Sequence, residues 1–355
     1  MYIIANCRKT SRRLMLVLCL ILAAVLLAAP SVAAAGIKNG LLLCFNAIIP
    51  SLFPFLFIVD YIFAVISGSK SQRRWPRILA AVVFGICGGT PMGAKALAKL
   101  VGTDVLEPET ASRLLAGSVN AGPAFLISAV GAGLFGNIRA GVILLAALTA
   151  ASLGCTGLAV ALPRRLSGGK KTHGQKKPAQ FTPANFAASM SSALDSIMRL
   201  CAYIVFFCCV GAYIEAACQY LSLSPILSWA AKTVMDLAGA CAAAAEIGSV
   251  AGLYLAAVSV SLCGISVLLQ VGAIIKGTGI TARYLFMFRP LHTALTLLFL
   301  RLLIPMFPDV SDVIASQAAY RIYSLSPVFS VFFVLTALIF VFGDRRKSLF
   351  TNAGE

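Results

Sequence analysis

The sequence predicts an all-α membrane protein that crosses the bilayer several times. Hydrophobic residues make up 60% of its 355 residues and charged residues only 12%, whereas a soluble domain carries about 25% charged residues. Mean hydropathy is +0.93. Apolar stretches long enough for a span, which needs roughly 20 residues, alternate with short polar stretches. None of these polar stretches is long enough for a large soluble domain.

Positive charge is gathered into short clusters. The formal net charge is +17, and most of it lies in segments 8–13, 70–77, 164–177 and 345–347. Such clusters are typical of cytoplasmic loops next to anionic lipid. Trp75 is the one aromatic side chain among them, which argues against a nucleic-acid partner. We therefore predict that the chain is a multi-pass protein of the cell membrane and that these segments face the lipid bilayer.

Cysteine and histidine do not suggest a metal centre. Eleven cysteines are scattered along the chain, no CxxC pair occurs, and the two histidines are His173 and His292. Zinc sites need clustered ligands at short spacing. We predict no metal and no cofactor, and interpret most of the cysteines as small apolar side chains.

Residues 1–37 are predicted to form an N-terminal transmembrane helix. A basic segment and an apolar run are followed by small residues at 30–35, which also fits a cleavable secretory signal. Because the apolar character continues to Ile37, we favour a retained helix that acts as a signal anchor. In the next segment, Pro50 and Pro54 disturb any helix. That segment is either a kinked packing helix or a partly unwound stretch that lines a cavity.

The most informative segment is an interrupted apolar stretch at 78–101. Three glycines, a proline and Lys95 fall within residues 88–95. In hydrocarbon every backbone polar group needs a partner, so a broken helix persists only where it is buried in protein or lines a polar cavity. A lysine there is costly without an anionic partner. The predicted helix breaks are Gly88, Gly89 and Pro91.

Two further interruptions follow. Residues 120–123, Asn-Ala-Gly-Pro, lie near the middle of the span at 113–135, and Gly264 interrupts the apolar stretch around 263–270. Paired broken segments in two halves of a membrane protein are typical of a transporter binding site. Gly264 is therefore a fourth predicted helix break, and the site is predicted between the segments at Gly89 and Gly264.

The chain is predicted to consist of two related halves. A basic, polar linker at 163–185 separates the first half, 38–162, from the second, 186–308, and residues 309–355 supply a C-terminal transmembrane helix and a basic tail. Similar residues recur at fixed offsets: Phe55, Tyr61 and Ile62 with Phe207, Tyr213 and Ile214 at 152; Gly89, Lys95, Gly102 and Thr103 with Gly264, Gln270, Gly277 and Thr278 at 175; and Asn120 with His292 at 172.

The basic clusters also predict the direction of each half. An even number of crossings must separate 70–77 from 164–177 if both are cytoplasmic, yet three apolar segments lie between them. One of the three should therefore be a re-entrant hairpin, and the segment broken at Gly88 is the best candidate. The halves then run in opposite directions, as in many secondary transporters.

Several short motifs resemble one family. Residues 50–55 (PSLFPF), 89–95 (GTPMGAK) and 120–125 (NAGPAF), with 246–248 (EIG), 264–271 (GISVLLQV) and 289–292 (RPLH) in the second half, look like the sporulation integral membrane protein family YlbJ. The resemblance spans roughly residues 36–300. Two departures from the family pattern are Thr90, where members often have tyrosine, and the single glycine before Ser266.

The resemblance implies two Gate-like, nucleoside-recognition repeats and a fold similar to concentrative nucleoside transporters. It also implies a role in endospore formation, with movement of dipicolinic acid across the forespore or cell membrane. A dianionic solute suits Lys95 beside a helix break, because a helix N-terminus favours anions. Arg289 and His292 would add positive charge, and Glu246 would pair with a cation or carry a coupling proton or sodium ion. The predicted substrate-binding residues are Thr90, Gly93, Lys95, Asn120, Glu246, Ser266, Gln270 and His292.

Other functions stay open or are disfavoured. The sequence has no GxSxG, HExxH or paired aspartates in its apolar segments, and residues 88–95 lack the Ser or Thr that follows the lysine of a phosphate-binding loop. We therefore predict that the chain is not an enzyme. The alternatives to an anion transporter are a transporter of nucleoside-type solutes and a non-transporting membrane scaffold for spore assembly. Partners beyond the solute would be a second copy of the chain or other sporulation membrane proteins.

Overall fold

The computed structural model describes residues 16–17, 19–68, 82, 85, 88–163, 183–307 and 310, and these residues are helical almost throughout. No β-strand occurs among them, so the all-α prediction is confirmed. Among the described residues, four helical segments are long and apolar enough to cross a membrane, namely 138–161, 186–220, 249–275 and 283–306, or five if one bent pair is counted as a span. The basic clusters and the predicted C-terminal helix at 309–355 lie outside the described residues, apart from Val310.

The predicted N-terminal helix is two helices where the structure describes it. Helix α1 (Cys19–Ala28) meets the helix that follows at an angle of 101°. Helix α2 (Pro30–Leu43) begins with a proline, whose fixed φ suits the first turn and whose missing N–H is not needed there. One wide turn, Cys44–Ile48, leads into α3 (Ile49–Gly68).

The segment containing Pro50 and Pro54 is helical. Pro54 lies inside α3, and the wide turn Cys44–Ile48 comes just before Pro50. Proline removes an N–H and displaces the carbonyl four residues earlier, and an inserted wide turn is a common way for a helix to accommodate such a disturbance. The kinked-helix interpretation therefore describes this segment better than the unwound one.

Helices α2 and α3 run antiparallel to α7 (Pro183–Tyr220). The Tyr213 hydroxyl donates to Ala29 O at 2.7 Å at one end, and the rings of Phe57 and Phe186 lie 4.8 Å apart near the other. Close approach between them is possible because Gly36 has no side chain. A methyl group on Gly36 would lie 2.7 Å from the Cα of Cys209.

The chain reverses direction at Gly89. Gly85 and Gly93 lie side by side, since a methyl group on Gly93 would be 3.1 Å from the Cα of Gly85. In a continuous helix, residues eight apart are about 12 Å apart. Gly89 has φ +80°, which glycine adopts without strain. Helix α4 (Thr90–Gly102) is therefore the second arm of a hairpin, which is the geometry predicted for this segment.

A broken span and an unbroken one complete the first half. Helix α5 (Pro108–Ser118) ends at four non-helical residues, 119–122. Wide helical turns then continue over Ala124–Leu134. Helix α6 (Ile138–Ala161) returns, with the Asn137 side chain accepting a hydrogen bond from Arg139 N at 2.9 Å.

The second half begins with α7 and continues with short helices. Helices α8 (Pro225–Met235) and α9 (Leu237–Ile247) pack against each other and meet at Asp236. The chain turns again at Gly248, with φ +71°.

A broken span and a final long helix follow. Helix α10 (Ser249–Leu262) is separated from α11 (Gly264–Ile275) by a break at Cys263. Helix α12 (Arg283–Leu303) ends the described bundle and is followed by one tight turn, Ile304–Met306.

At one end of the bundle lie the helix ends that precede or follow two of the basic clusters in the sequence, and we call it the basic end. Helix α3 ends there, before segment 70–77, while α6 ends and α7 begins on either side of segment 164–177. Helices α5 and α12 also start there, since Arg113 donates to Pro163 O at 3.1 Å and Tyr284 donates to Glu109 at 2.6 Å.

Candidate functional site

The helix breaks meet at a small, open cleft. Its walls come from both halves of the chain. The lining residues are Ile48, Leu52, Gly89, Thr90, Ala121, Gly122, Phe125, Leu200, Ile204, Asp236, Leu237, Ala238, Ser266, Val267 and Gln270. Four of them have polar side chains, and all four lie at or near the start of a short helix. Interrupted backbone is tolerated at membrane depth where it lines such a cavity.

Two of the predicted breaks lie close to this cleft. Gly89 lies against the unwound stretch at 119–122, because a methyl group on Gly89 would be 3.3 Å from Gly122 N. Gly264, with φ +53°, lies beside Asp236, since a methyl group there would be 3.3 Å from Asp236 N. Gly88 is buried next to Gly89. The first hairpin, the unwound stretch and the second broken segment therefore converge.

Three predicted side chains line the cleft together. Thr90 begins α4, and Ser266 and Gln270 lie on the first two turns of α11. The Gln270 amide nitrogen lies 3.4 Å from the Ser266 hydroxyl oxygen. A hydroxyl both donates and accepts hydrogen bonds, and an amide offers both a carbonyl oxygen and N–H groups. These three residues can therefore recognise a polar, hydrogen-bonding solute.

Asp236 also lines the cleft, and the sequence analysis did not predict it. Its side chain caps α9, with Oδ2 accepting hydrogen bonds from Ala238 N at 3.0 Å and Gly239 N at 3.1 Å. A carboxylate is stabilised at a helix N-terminus by these N–H groups and by the helix dipole. None of the ion pairs in the described part of the chain includes Asp236. The signal in the sequence is a single acid between two apolar segments.

Lys95 lies outside the cleft lining. Its Nζ lies 2.5 Å from Asp60 Oδ2, 2.9 Å from Ser192 Oγ and 2.8 Å from Ser196 Oγ. The structure therefore gives Lys95 an anionic partner within the protein, as its burial requires. It does not place this charge beside the three polar residues of the cleft.

Asn120 adjoins the cleft without lining it. Its amide donates to Gly117 O at 2.7 Å, and its Oδ1 has no hydrogen-bond partner within the described ranges. The two residues that follow it, Ala121 and Gly122, do line the cleft. Asn120 therefore sits one residue from the wall that the unwound stretch supplies.

The other predicted residues lie elsewhere. His292 is fully buried against α6, with Nε2 3.0 Å from Ser152 Oγ. Gly93 packs against Ser118, and Glu246 is exposed at the end of α9. The backbone at Pro91 is in the first turn of α4, but its side chain is outside the described part.

Arg289 joins two of the breaks. Its Nη1 donates to Ser261 O at 2.9 Å, at the end of α10, and its Nη2 donates to Val119 O at 2.6 Å, where α5 ends. Carbonyl groups at the last turn of a helix have no intrahelical partner and carry partial negative charge. No carboxylate within the described ranges pairs with Arg289. Two helix ends thus take the place of a counter-ion.

The lining of the cleft has the composition of a small-molecule site. No group of three or more histidine, cysteine, aspartate or glutamate side chains suited to a metal ion occurs in the described part of the chain. The cleft lining combines a mostly apolar wall with two hydroxyls, an amide and a carboxylate, which is the usual composition of a small-molecule site.

Comparison with known proteins gives no relative for this chain: no family model, no curated protein and no solved structure matches it.

Proposed function

We propose that this chain is a multi-pass membrane transporter of a small polar solute, and that the cleft between the broken helices is its binding site. The observation that carries this proposal is the convergence of Thr90, Asp236, Ser266 and Gln270 at three helix interruptions. Interrupted helices inside a membrane protein need a reason to exist, because each freed backbone group must find a partner. Solute binding at such interruptions is the usual reason in transporters.

The arrangement of the two halves supports the proposal. Each half has a long helix, a short hairpin, a broken span and a final long helix, and the elements of the second half run in the opposite direction. Ile48 and Leu52 line the cleft from α3 and the turn before it, and Leu200 and Ile204, each 152 residues later, line it from α7. We interpret the halves as inverted, Gate-like repeats.

The equivalent breaks differ from those that the sequence offset of 175 suggests. We pair the reversal at Gly89 with the turn at Asp236, because the chain reverses at both points and a short helix, α4 or α9, follows each. The break at Gly264 corresponds to the unwound stretch 119–122, because each interrupts a span. The Gly-Thr pairs at 102–103 and 277–278 therefore suggested that two different kinds of segment were equivalent, a chain reversal at Gly89 and an interrupted span at Gly264.

The charge of the cleft bears on the solute. Asp236 is an acid, Lys95 is paired with Asp60, and Arg289 is occupied by two carbonyl groups. We therefore favour an uncharged or cationic solute of nucleoside type over the dicarboxylate that the family resemblance implies. Transport of dipicolinate across the forespore or cell membrane during sporulation stays a prediction of that resemblance.

A binding assay tests the site and the solute together. Thermal shifts of the purified full chain are measured with several nucleosides, dipicolinate and other dicarboxylates. A ligand at a hundredfold excess over its Kd stabilises the fold by about 2.7 kcal/mol. We expect a shift with a nucleoside, and we expect Gln270→Leu and Asp236→Asn each to weaken its binding about tenfold. Glu246→Gln, at an exposed position, is the matched control and should bind as wild type does.

The other outcomes are distinct. A dipicolinate shift that Gln270→Leu removes would keep the cleft as the site and overturn the proposed charge of the solute. Equal shifts in wild type and Gln270→Leu would move the site away from the cleft. No shift with any ligand, in a protein that melts cooperatively, would favour the membrane scaffold.

A further inference from the structure

Lys95 is the centre of a polar cluster that connects three helices. It extends from α4 to Asp60 on α3 and to Ser192 and Ser196 on α7. Lys95 Nζ also donates to Ser192 O at 3.4 Å, and Lys99 Nζ lies 3.9 Å from Asp60 Oδ1. Asp60 is buried, with 4% of its side chain exposed. A buried ion pair is held firmly only when its remaining hydrogen-bonding groups are also satisfied, and the two serines help to satisfy those of Lys95.

This cluster crosses a boundary within the bundle. Helices α2 and α3 each pack along α7. Together with the wide turn between α2 and α3, they give the cleft an apolar wall, formed by Ile48, Leu52, Leu200 and Ile204. The polar lining residues all come from other helices. Helix α4 packs mainly on α5 and α11, so the Lys95 side chain joins the polar side of the cleft to its apolar wall.

Along all three helices, the cluster lies on the same side of the cleft. On α4, Lys95 comes five residues after the lining residue Thr90, about 8 Å at 1.5 Å per residue. On α7, Ser196 comes four residues before Leu200, and on α3, Asp60 comes eight residues after Leu52. Each step leads from the cleft toward the basic end.

Aromatic side chains extend the same layer. The rings of Phe57 and Tyr61 on α3 lie 4.8 Å and 5.9 Å from the ring of Phe186 on α7. Together with the ion pair they place packed side chains between the cleft and the basic end. These ring contacts strengthen the packing of α3 on α7 beside the ion pair.

From these positions we infer that Asp60 and Lys95, with Ser192 and Ser196, form a gate that closes the cleft toward the basic end. The inference rests on the proposed transport function. Separation of the ion pair frees α4 from α3 and α7, and it admits water and solute from the basic end. Lys95 thus acts on access to the cleft, rather than as a contact to the solute.

Chemical labelling tests the gate without any ligand. Ser266→Cys places a thiol in the cleft lining, and its reaction with a membrane-impermeant maleimide is measured in inside-out vesicles, corrected for the same protein without this substitution. The Ser266→Cys protein is the parent for the variants that follow. We expect it to be labelled slowly, and we expect labelling at least tenfold faster when Asp60→Asn is added to it. Combining Asp60→Lys with Lys95→Asp should return the rate toward the parent value, because the charges are exchanged but the pair is kept.

The matched control is Glu109→Gln. Glu109 pairs with Arg113 at 3.3 Å near the same end of the bundle but away from the cleft lining, and its substitution should leave the labelling rate unchanged. Equal rates in Asp60→Asn and the parent would overturn the gate, as would a similar acceleration in Glu109→Gln. Acceleration confined to right-side-out vesicles would also overturn it, since the gate would then face the other side.

If Asp60→Asn does not fold, Ser192→Ala with Ser196→Ala replaces it. Removing two acceptors from Lys95 should accelerate labelling about threefold, and an unchanged rate would again contradict the gate. Labelling and the ligand assay can fail separately. If no tested solute shifts the melting temperature but Asp60→Asn still accelerates labelling, the proposed solutes are rejected. If a solute binds but Asp60→Asn leaves the labelling rate unchanged, the gate is rejected.

Discussion

Replacing Arg289 with methionine is expected to lower the free energy of unfolding by about 3 kcal/mol. The guanidinium donates to Ser261 O and Val119 O, two carbonyl groups at helix ends. Methionine removes both hydrogen bonds and leaves Val119 O with only the weak contact from the Cys263 thiol, at 3.8 Å. Each buried, unsatisfied acceptor costs about 1–3 kcal/mol, while removal of a buried charge recovers part of that cost. The measurement is the thermal midpoint and the denaturant midpoint of the purified protein in detergent.

Two variants make the result specific to these carbonyl groups. Arg289→Lys keeps the charge but lacks the planar fork that reaches both oxygens, so we expect roughly half the loss. Arg301→Met alters an exposed arginine on the same helix and should change stability by less than about 0.5 kcal/mol. If Arg289→Met melts like Arg301→Met, the two helix ends do not depend on Arg289.

Alanine at Gly93 is expected to prevent normal folding or to cost about 3 kcal/mol or more. A methyl group there would lie 1.8 Å from Ser118 O and 3.1 Å from the Cα of Gly85. Both neighbours are backbone, so no side-chain rotation relieves the overlap, and added volume in a packed interior commonly costs about 1–3 kcal/mol even without such a collision. The yield of monodisperse protein and its thermal midpoint report the effect.

Gly102 on the same helix is the control for Gly93. Within the described residues, and apart from its own helix turn and chain neighbours, no atom lies within 4 Å of a methyl group placed there, and its φ is not in the left-handed region. Gly102→Ala should therefore leave stability unchanged or raise it by up to about 1 kcal/mol, because alanine restricts the unfolded chain. Normal melting of Gly93→Ala would show that the two arms of the hairpin are not packed this closely.

Local features of the fold could be predicted from the sequence. Glycine and proline within an apolar run are direct signals of interruption, and both Gly89 and Gly264 lie at helix breaks. The all-α class followed from the composition and from apolar stretches long enough for helical spans. The sequence did not predict which breaks are equivalent in the two halves. A hairpin and a broken span can share the same few residues, and they differ in the elements that pack beside them.

The candidate site was predicted less completely. Lys95 was recognised as a charge in need of an anionic partner, but Asp60 lies 35 residues earlier, and no local pattern connects the two. Asp236 was missed because a single acid before an alanine-rich segment is typical of an ordinary helix cap. Thr90 and Ser266 were predicted because they follow the glycine breaks within two residues, and Gln270 because it corresponds to Lys95 at the offset of 175.

The short hairpin helices also bear on how the protein enters the membrane. Helix α4 has 13 residues, and α8 and α9 have 11 each, whereas insertion as an independent span needs roughly 20. None of the three can cross the bilayer alone with its backbone ends satisfied. The long helices must therefore be inserted first and provide a protein-lined surface, onto which the hairpins then fold. The cleft is thus among the last parts of the molecule to form during biogenesis.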